Sequence, residues 1–150
     1  MLNEYSNKSI ILNYLAQIAI AENDYSSVKK YFTQLLEIDS TNIDALNSLG
    51  VLALMNGDLN ESEILLNKSV LYSKNNINAY YNLGVLYLFK EDYKKAEINL
   101  IEALKIDSSD AKILYTLGIV YLVSNKYDKS KLYLENSIKY NPYNIDALIG

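Results

Sequence analysis

Three uninterrupted apolar stretches, counting glycine as apolar, lie at residues 49–55, 83–89 and 117–123, and they begin 34 residues apart. The polar and apolar positions around them repeat at the same interval. Ile43-Asp44-Ala45-Leu46-Asn47-Ser48-Leu49-Gly50 aligns with Ile77-Asn78-Ala79-Tyr80-Tyr81-Asn82-Leu83-Gly84 and with Ala111-Lys112-Ile113-Leu114-Tyr115-Thr116-Leu117-Gly118. A more diverged copy starts at Ser9, with Leu12, Leu15 and Ala16 in the places of Leu46, Leu49 and Gly50, and a fifth, cut short, starts at Ile145. One register without insertion gives units at 9–42, 43–76, 77–110 and 111–144, a partial unit at 145–150 and a tail at 1–8.

Within a unit the spacing is that of an α-helix. Tyr80, Leu83, Gly84 and Tyr87 fall at i, i+3, i+4 and i+7, and after Glu91-Asp92 a second apolar face follows at Tyr93, Ala96, Leu100, Ala103 and Leu104. Start signals stand where two helices per unit need them. Asn42, Asn76, Asp110 and Asn144 precede the first helices, and Asp24, Asp58 and Asp92 the second ones. Such side chains accept hydrogen bonds from unpaired N–H groups of the first turn, worth about 1 kcal/mol each. Lys126 breaks the second series, so a weaker start is expected there. Pro142 stands in a turn between units. Gly50, Gly84 and Gly118 sit inside first helices, where glycine costs up to about 1 kcal/mol relative to alanine. Close approach of the paired helix offsets that cost, with Ala96 and Ser130 as the expected small facing residues. The pattern predicts an all-α stack of antiparallel helix pairs.

The 34-residue period and the order Leu-Gly, Tyr, Asp-Tyr, Ala, Ala-Leu, Asp resemble the tetratricopeptide repeat. The third unit carries the resemblance best, in Tyr80, Leu83, Gly84, Tyr87, Asp92, Tyr93, Ala96, Ala103, Leu104 and Asp107, and Pro142 matches the family's turn proline. The resemblance implies a right-handed superhelical solenoid whose first helices line a concave groove that holds peptides, helices or other domains. Catalysis is seldom its role.

At 100° per residue, the core side of a first helix takes its fourth, seventh, eighth and eleventh places. The second, fifth, ninth, twelfth and thirteenth places lie opposite. They hold Asp44, Asn47, Val51, Leu54 and Met55, then Asn78, Tyr81, Val85, Leu88 and Phe89, then Lys112, Tyr115, Ile119, Leu122 and Val123. Two apolar ladders result, Val51–Val85–Ile119 and Met55–Phe89–Val123. Helices apolar on both sides are either buried on both or carry a binding surface. The candidate peptide-binding residues are Asn47, Val51, Met55, Asn78, Tyr81, Asn82, Val85, Phe89, Lys112, Tyr115, Ile119 and Val123. The carboxylate clamp of chaperone-binding relatives has Lys, Asn, Asn, Lys and Arg. Here the corresponding places hold Asn47, Val51, Asn82, Lys112 and Thr116, of which Asn82 and Lys112 match. A chaperone tail is therefore not the expected ligand.

Composition narrows the chemistry. Half of the 150 residues are hydrophobic, the formal charge is −4, and there is neither cysteine nor histidine. Disulfides and thiolate or imidazole catalysis are thereby excluded. All fourteen basic residues are lysine. A net negative chain without arginine argues against a nucleic-acid surface. The charges crowd the second helices, as in Lys94, Lys95, Glu97, Glu102 and Lys105, and read as a solvated convex side. The fifteen tyrosines are expected mostly at core places of the repeat. Asp107-Ser108-Ser109-Asp110 reads as a turn and cap between units rather than as metal ligands, and Asp44 and Asp146 are three repeats apart, too far for acid–base work. No apolar run approaches the roughly 20 residues that a membrane span needs.

The expected function is a non-enzymatic, cytoplasmic scaffold that binds an apolar extended or helical segment of a partner protein, with no cofactor, nucleic acid or membrane involved. Two alternatives stand beside it. One is self-association into a homo-oligomer through the uncapped C-terminal end. The other is a targeting module of a larger enzyme such as a glycosyltransferase.

Overall fold

The computed structural model describes residues 2–142, with side chains from residue 7 onward; the expected cap at Asn144 and the partial unit at 145–150 lie outside them. The described residues form eight α-helices and no strand: α1 (Leu2–Ala21), α2 (Tyr25–Ile38), α3 (Ile43–Met55), α4 (Leu59–Tyr72), α5 (Ile77–Phe89), α6 (Tyr93–Ile106), α7 (Ala111–Val123) and α8 (Tyr127–Tyr140). Residues 2–8, read above as a tail, are the first turns of α1. No glycine or proline stands there to stop the helix. The chain divides into two compact units, Met1–Lys74 and Asn75–Gly150. Unit 1 holds the pairs α1–α2 and α3–α4, with α2 also packed on α3; unit 2 holds α5–α6 and α7–α8, with α6 packed on α7.

The helix starts follow the capping series. The side chains of Asp24, Asn42, Asp58, Asn76, Asp92 and Asp110 accept hydrogen bonds from N–H groups of the turn that follows each, and Lys126, ahead of α8, makes no such bond. The turn inside each pair carries its own period. Asn23, Gly57, Glu91 and Asn125 adopt φ of 57°, 79°, 57° and 60°, one left-handed residue every 34 positions. This conformation turns the chain sharply after the first helix, and only Gly57 adopts it without a Cβ penalty.

In unit 1 the core gathers Leu12, Ala16 and Ala19 of α1, Val28, Phe32 and Leu35 of α2, and Ala45, Leu49 and Leu52 of α3. In unit 2, Leu83, Leu86, Leu100, Ala103, Leu117 and Val120 are buried almost completely. The glycines do mark close approach, but not against the residues expected. A Cβ on Gly84 would meet Leu100 Cγ at 2.5 Å, one on Gly118 would meet Leu134 Cγ at 2.7 Å, and one on Gly50 would meet Leu66 Cγ at 2.8 Å. A leucine of the paired helix, one turn beyond Ala96 or Ser130, thus lies in the groove that the missing side chain leaves open. The tyrosines correct a second expectation. Tyr87 and Tyr121 are buried, whereas Tyr14, Tyr25, Tyr72, Tyr127 and Tyr140 are exposed. Their phenol tips find water or a turn, as where Tyr127 Oη donates to Asn125 Oδ1 at 2.8 Å.

Ser62 of α4 is fully buried at the place that Ala96 occupies one repeat later, and its hydroxyl has no hydrogen-bond partner. Burying an unpaired hydroxyl is unfavourable. Ser62→Ala is therefore expected to raise the unfolding free energy by about 1 kcal/mol, read from the urea midpoint at unchanged slope. A loss of stability would mean that the hydroxyl is in fact satisfied.

Candidate functional site

The side of the first helices turned away from the paired second helices is where the apolar ladders were expected. Unit 2 presents it on α5 and α7. Phe89 is 68% exposed, Val123 is exposed, and Val85, Ile119, Tyr81, Asn82 and Tyr115 are half-buried. Asn78 and Lys112 are exposed at the start of the two helices. A polar contact joins the two helices on this side. Lys112 Nζ of α7 lies 4.2 Å from the ring centroid of Tyr81 on α5. A cation over an aromatic face at an exposed site contributes roughly 0.5–1 kcal/mol, enough to orient both side chains. Apart from Lys112, neither α5 nor α7 contains a charged residue.

Unit 1 presents the corresponding places on α3. Met55 is 59% exposed, and Asn47 and Val51 are half-buried. Of the leucines flanking the ladders, Leu54 and Leu88 are half-buried and Leu122 is exposed. At the clamp place where relatives have Arg, Thr116 is buried and its hydroxyl donates to Lys112 O at 2.9 Å within the same helix.

The second helices carry charge, as the sequence indicates, but one of those charges does more than face water. Tyr121 Oη donates to Glu97 Oε1 at 2.9 Å, Lys126 Nζ donates to Glu97 Oε2 at 3.0 Å, and Lys129 Nζ lies 3.9 Å from Oε1. Burial acts to raise the Glu97 pKa, but hydrogen bonds from Lys126 and Tyr121 and the attraction of both lysines outweigh it and hold the carboxyl below its ordinary value. The Tyr121 phenol is pushed up by its burial, by its hydrogen bond to Glu97 and by the carboxylate charge. Lys126, which cannot cap α8, ties the start of that helix to α6 instead. A carboxylate with a lowered folded pKa stabilises the protein above its unfolded pKa, and that contribution is lost as pH falls through the folded value. Stability is therefore expected to drop more steeply below the ordinary value of 4.5 in the parent chain than in Glu97→Gln. At neutral pH the same substitution costs about 1 kcal/mol. Parallel acid-unfolding limbs in the two proteins would contradict this.

Asp107 and Asp110 act as turn and cap. Asp107 Oδ1 accepts from Ser109 N and Oγ at 2.9 and 2.8 Å, which lowers its pKa, and Asp110 Oδ1 accepts from the N–H groups of Lys112 and Ile113 at 2.9 and 3.1 Å. Among the described residues no group of acidic side chains could hold a metal ion, and no helix is long and apolar enough to cross a membrane.

Comparison with known proteins agrees with this architecture. One tetratricopeptide-repeat model matches residues 19–84, and a second matches residues 77–110 and 111–144. Curated protein sequences give no match. Among solved structures, MamA is 25% identical with a TM-score of 0.78, the match covering 89% of this chain and 78% of that one. PilF of Pseudomonas aeruginosa is 20% identical with a TM-score of 0.83, covering 93% of this chain and 64% of that one. YrrB, described as a tetratricopeptide-repeat protein with an unusual peptide-binding site, is 18% identical with a TM-score of 0.78, covering 93% and 72%. With repeat models matching from residue 19 to residue 144, the chain belongs to the tetratricopeptide-repeat family.

Proposed function

We infer that the chain is a protein-interaction scaffold that holds an apolar extended or helical segment of a partner on the free side of its first helices. In unit 2 the contact residues are Asn78, Tyr81, Asn82, Val85, Phe89, Lys112, Tyr115, Ile119 and Val123; in unit 1 Asn47, Val51 and Met55 offer a second contact of the same kind. The observation that carries this reading is the exposure of Phe89, a large apolar side chain held by its helix in water one turn beyond Val85. An isolated exposed apolar residue needs no explanation, but one repeated at a fixed structural place does. The fold supports the same reading, since tetratricopeptide repeats bind proteins or peptides and YrrB is described as having a peptide-binding site. The amide and phenol groups of Asn78, Asn82, Tyr81 and Tyr115 have hydrogen-bonding capacity to meet a ligand backbone.

Affinity on such a surface comes from apolar burial, about 25 cal/mol per Å² before the cost of association. A displayed peptide library selected on the full chain is expected to enrich apolar sequences. Phe89→Ala should weaken a selected peptide about tenfold, and Val85→Asp more, with helicity unchanged. Raising salt from about 50 to about 500 mM should move the affinity less than threefold, since Lys112 is the one charged residue of α5 and α7. Affinity that survives both substitutions, or that collapses with salt, places binding elsewhere.

A further inference from the structure

The eleventh place of the repeat holds Tyr121 in α7 and Ala53 in α3. In unit 2 the Tyr121 side chain is buried, Lys126 and Lys129 lie 5.5 and 5.1 Å from its ring centroid, and its hydroxyl reaches Glu97 of α6. In unit 1 the side chain at this place ends at Cβ, and a pocket of about 240 Å³ opens there, with Leu49, Leu52 and Ala53 of α3 in its wall. The wall registers the difference. Leu49 and Leu52 remain 9% and 8% exposed, whereas Leu117 and Val120, at the same places of α7, are 0% and 1% exposed.

The mouth of the pocket corresponds to unit 2 place for place, with each charge reversed. Lys29 of α2 stands where α6 has Glu97, and Asp58 and Glu61 stand where Lys126 and Lys129 do; all three are exposed at the rim. A phenol hydroxyl suits either version, because it donates to a carboxylate and accepts from an ammonium group. The ring suits both as well, since its face attracts cations and its positive edge is the part that meets carboxylates. The volume falls below the roughly 300–1,000 Å³ of pockets for drug-sized ligands, and so matches one side chain rather than a cofactor. We propose that this pocket takes a tyrosine side chain of a partner protein, which fills in unit 1 the space that the chain's own Tyr121 fills in unit 2 and brings its hydroxyl to Lys29. The fold's own occupant of the equivalent place identifies the guest. The contact is separate from the apolar ladders, because the pocket uses the seventh, tenth and eleventh places of α3 and the ladders use the ninth and thirteenth.

Titration of the full chain with N-acetyltyrosinamide, followed through its backbone amide resonances by nuclear magnetic resonance, tests this. Shifts should centre on Leu49, Leu52 and Ala53 and saturate in the millimolar range, as suits a single side chain. N-acetylphenylalaninamide should bind several-fold more weakly, and Lys29→Met should abolish that preference. N-acetylleucinamide should bind about tenfold more weakly than the tyrosine compound. Ala53→Tyr supplies the ring from within, so it should fold, melt at a higher temperature than the parent and lose the titration; Ala53→Leu, which fills the pocket in part, should weaken it. The groove pair Phe89→Ala/Val85→Asp should bind the probe like the parent, which keeps the outcome distinct from that of the groove reading. Shifts centred elsewhere, the absence of saturable shifts, or equal affinity for the leucine compound overturn the proposal. So does a tyrosine preference that survives Lys29→Met, an Ala53→Tyr chain that fails to fold, either Ala53 variant binding as the parent does, or loss of binding in the groove pair.

Discussion

Leu100→Ala is expected to lower the unfolding free energy by about 3–4 kcal/mol, the middle of the range for truncating a buried leucine. Leu100 belongs to α6, is completely buried, and has its branch point against the bare Cα of Gly84 on α5. A cavity relaxes when neighbouring side chains lean into it. Here one wall is helix backbone with no side chain to lean, so little of the vacated volume is recovered. α6 also packs on α7, so the loss is felt at two helix contacts of unit 2. Urea unfolding followed by far-ultraviolet circular dichroism gives the number. A loss below about 1 kcal/mol would mean that the site collapses freely and that the glycine–leucine contact is not a keystone of the pair.

That contact also marks the boundary of what the sequence discloses. Helices, their starts and their outward faces depend on residues within a turn or two of one another, so a 34-residue rhythm writes them plainly. Asp24, Asp58 and Asp92 cap as their spacing indicates, Lys126 fails to, and Phe89 and Met55 emerge into solvent where 100° per residue places them. Which residue of one helix meets which residue of the next depends on the crossing angle and axial offset, and those are set by the whole pack of side chains. Hence Gly84 meets Leu100 rather than Ala96. The same limit hid the Glu97–Tyr121–Lys126 cluster, in which Glu97 meets partners 24 and 29 residues further along the chain. Only a cation spaced from Glu97 like Lys126, at a place where capping residues are the rule, hints at it. The start of α1 escaped for a different reason: residues 2–8 stand outside the repeat register, and helix continuation needs no signal of its own. For the binding face, helical geometry supplied every candidate but Asn82, which came from the clamp comparison, while the stacking of Lys112 on Tyr81 needed the α5–α7 contact to be seen.

Gly84→Ala is expected to destabilise by about 2 kcal/mol, although alanine is the better helix former by about 1 kcal/mol. Intrinsic preference and packing oppose each other here, and magnitudes decide. The added Cβ would stand 2.5 Å from Leu100 Cγ and 2.7 Å from Cδ2, well inside contact distance. The atom in the way is the branch point of a fully buried leucine, so relief requires the whole side chain or the helix behind it to move. Overpacking of this kind costs typically about 1–3 kcal/mol and sometimes more, which exceeds the propensity gain. The decisive measurement is the cycle that joins this substitution to Leu100→Ala. In Gly84→Ala/Leu100→Ala the new methyl enters the space that the leucine vacates, so the clash disappears, part of the cavity is filled and the helix keeps its alanine. The double variant should therefore be more stable than Leu100→Ala alone, with a coupling of at least about 2 kcal/mol between the two sites. Additive losses would show that the glycine is tolerated for a reason other than Leu100, and a stabilising Gly84→Ala would show that α5 and α6 have room to part.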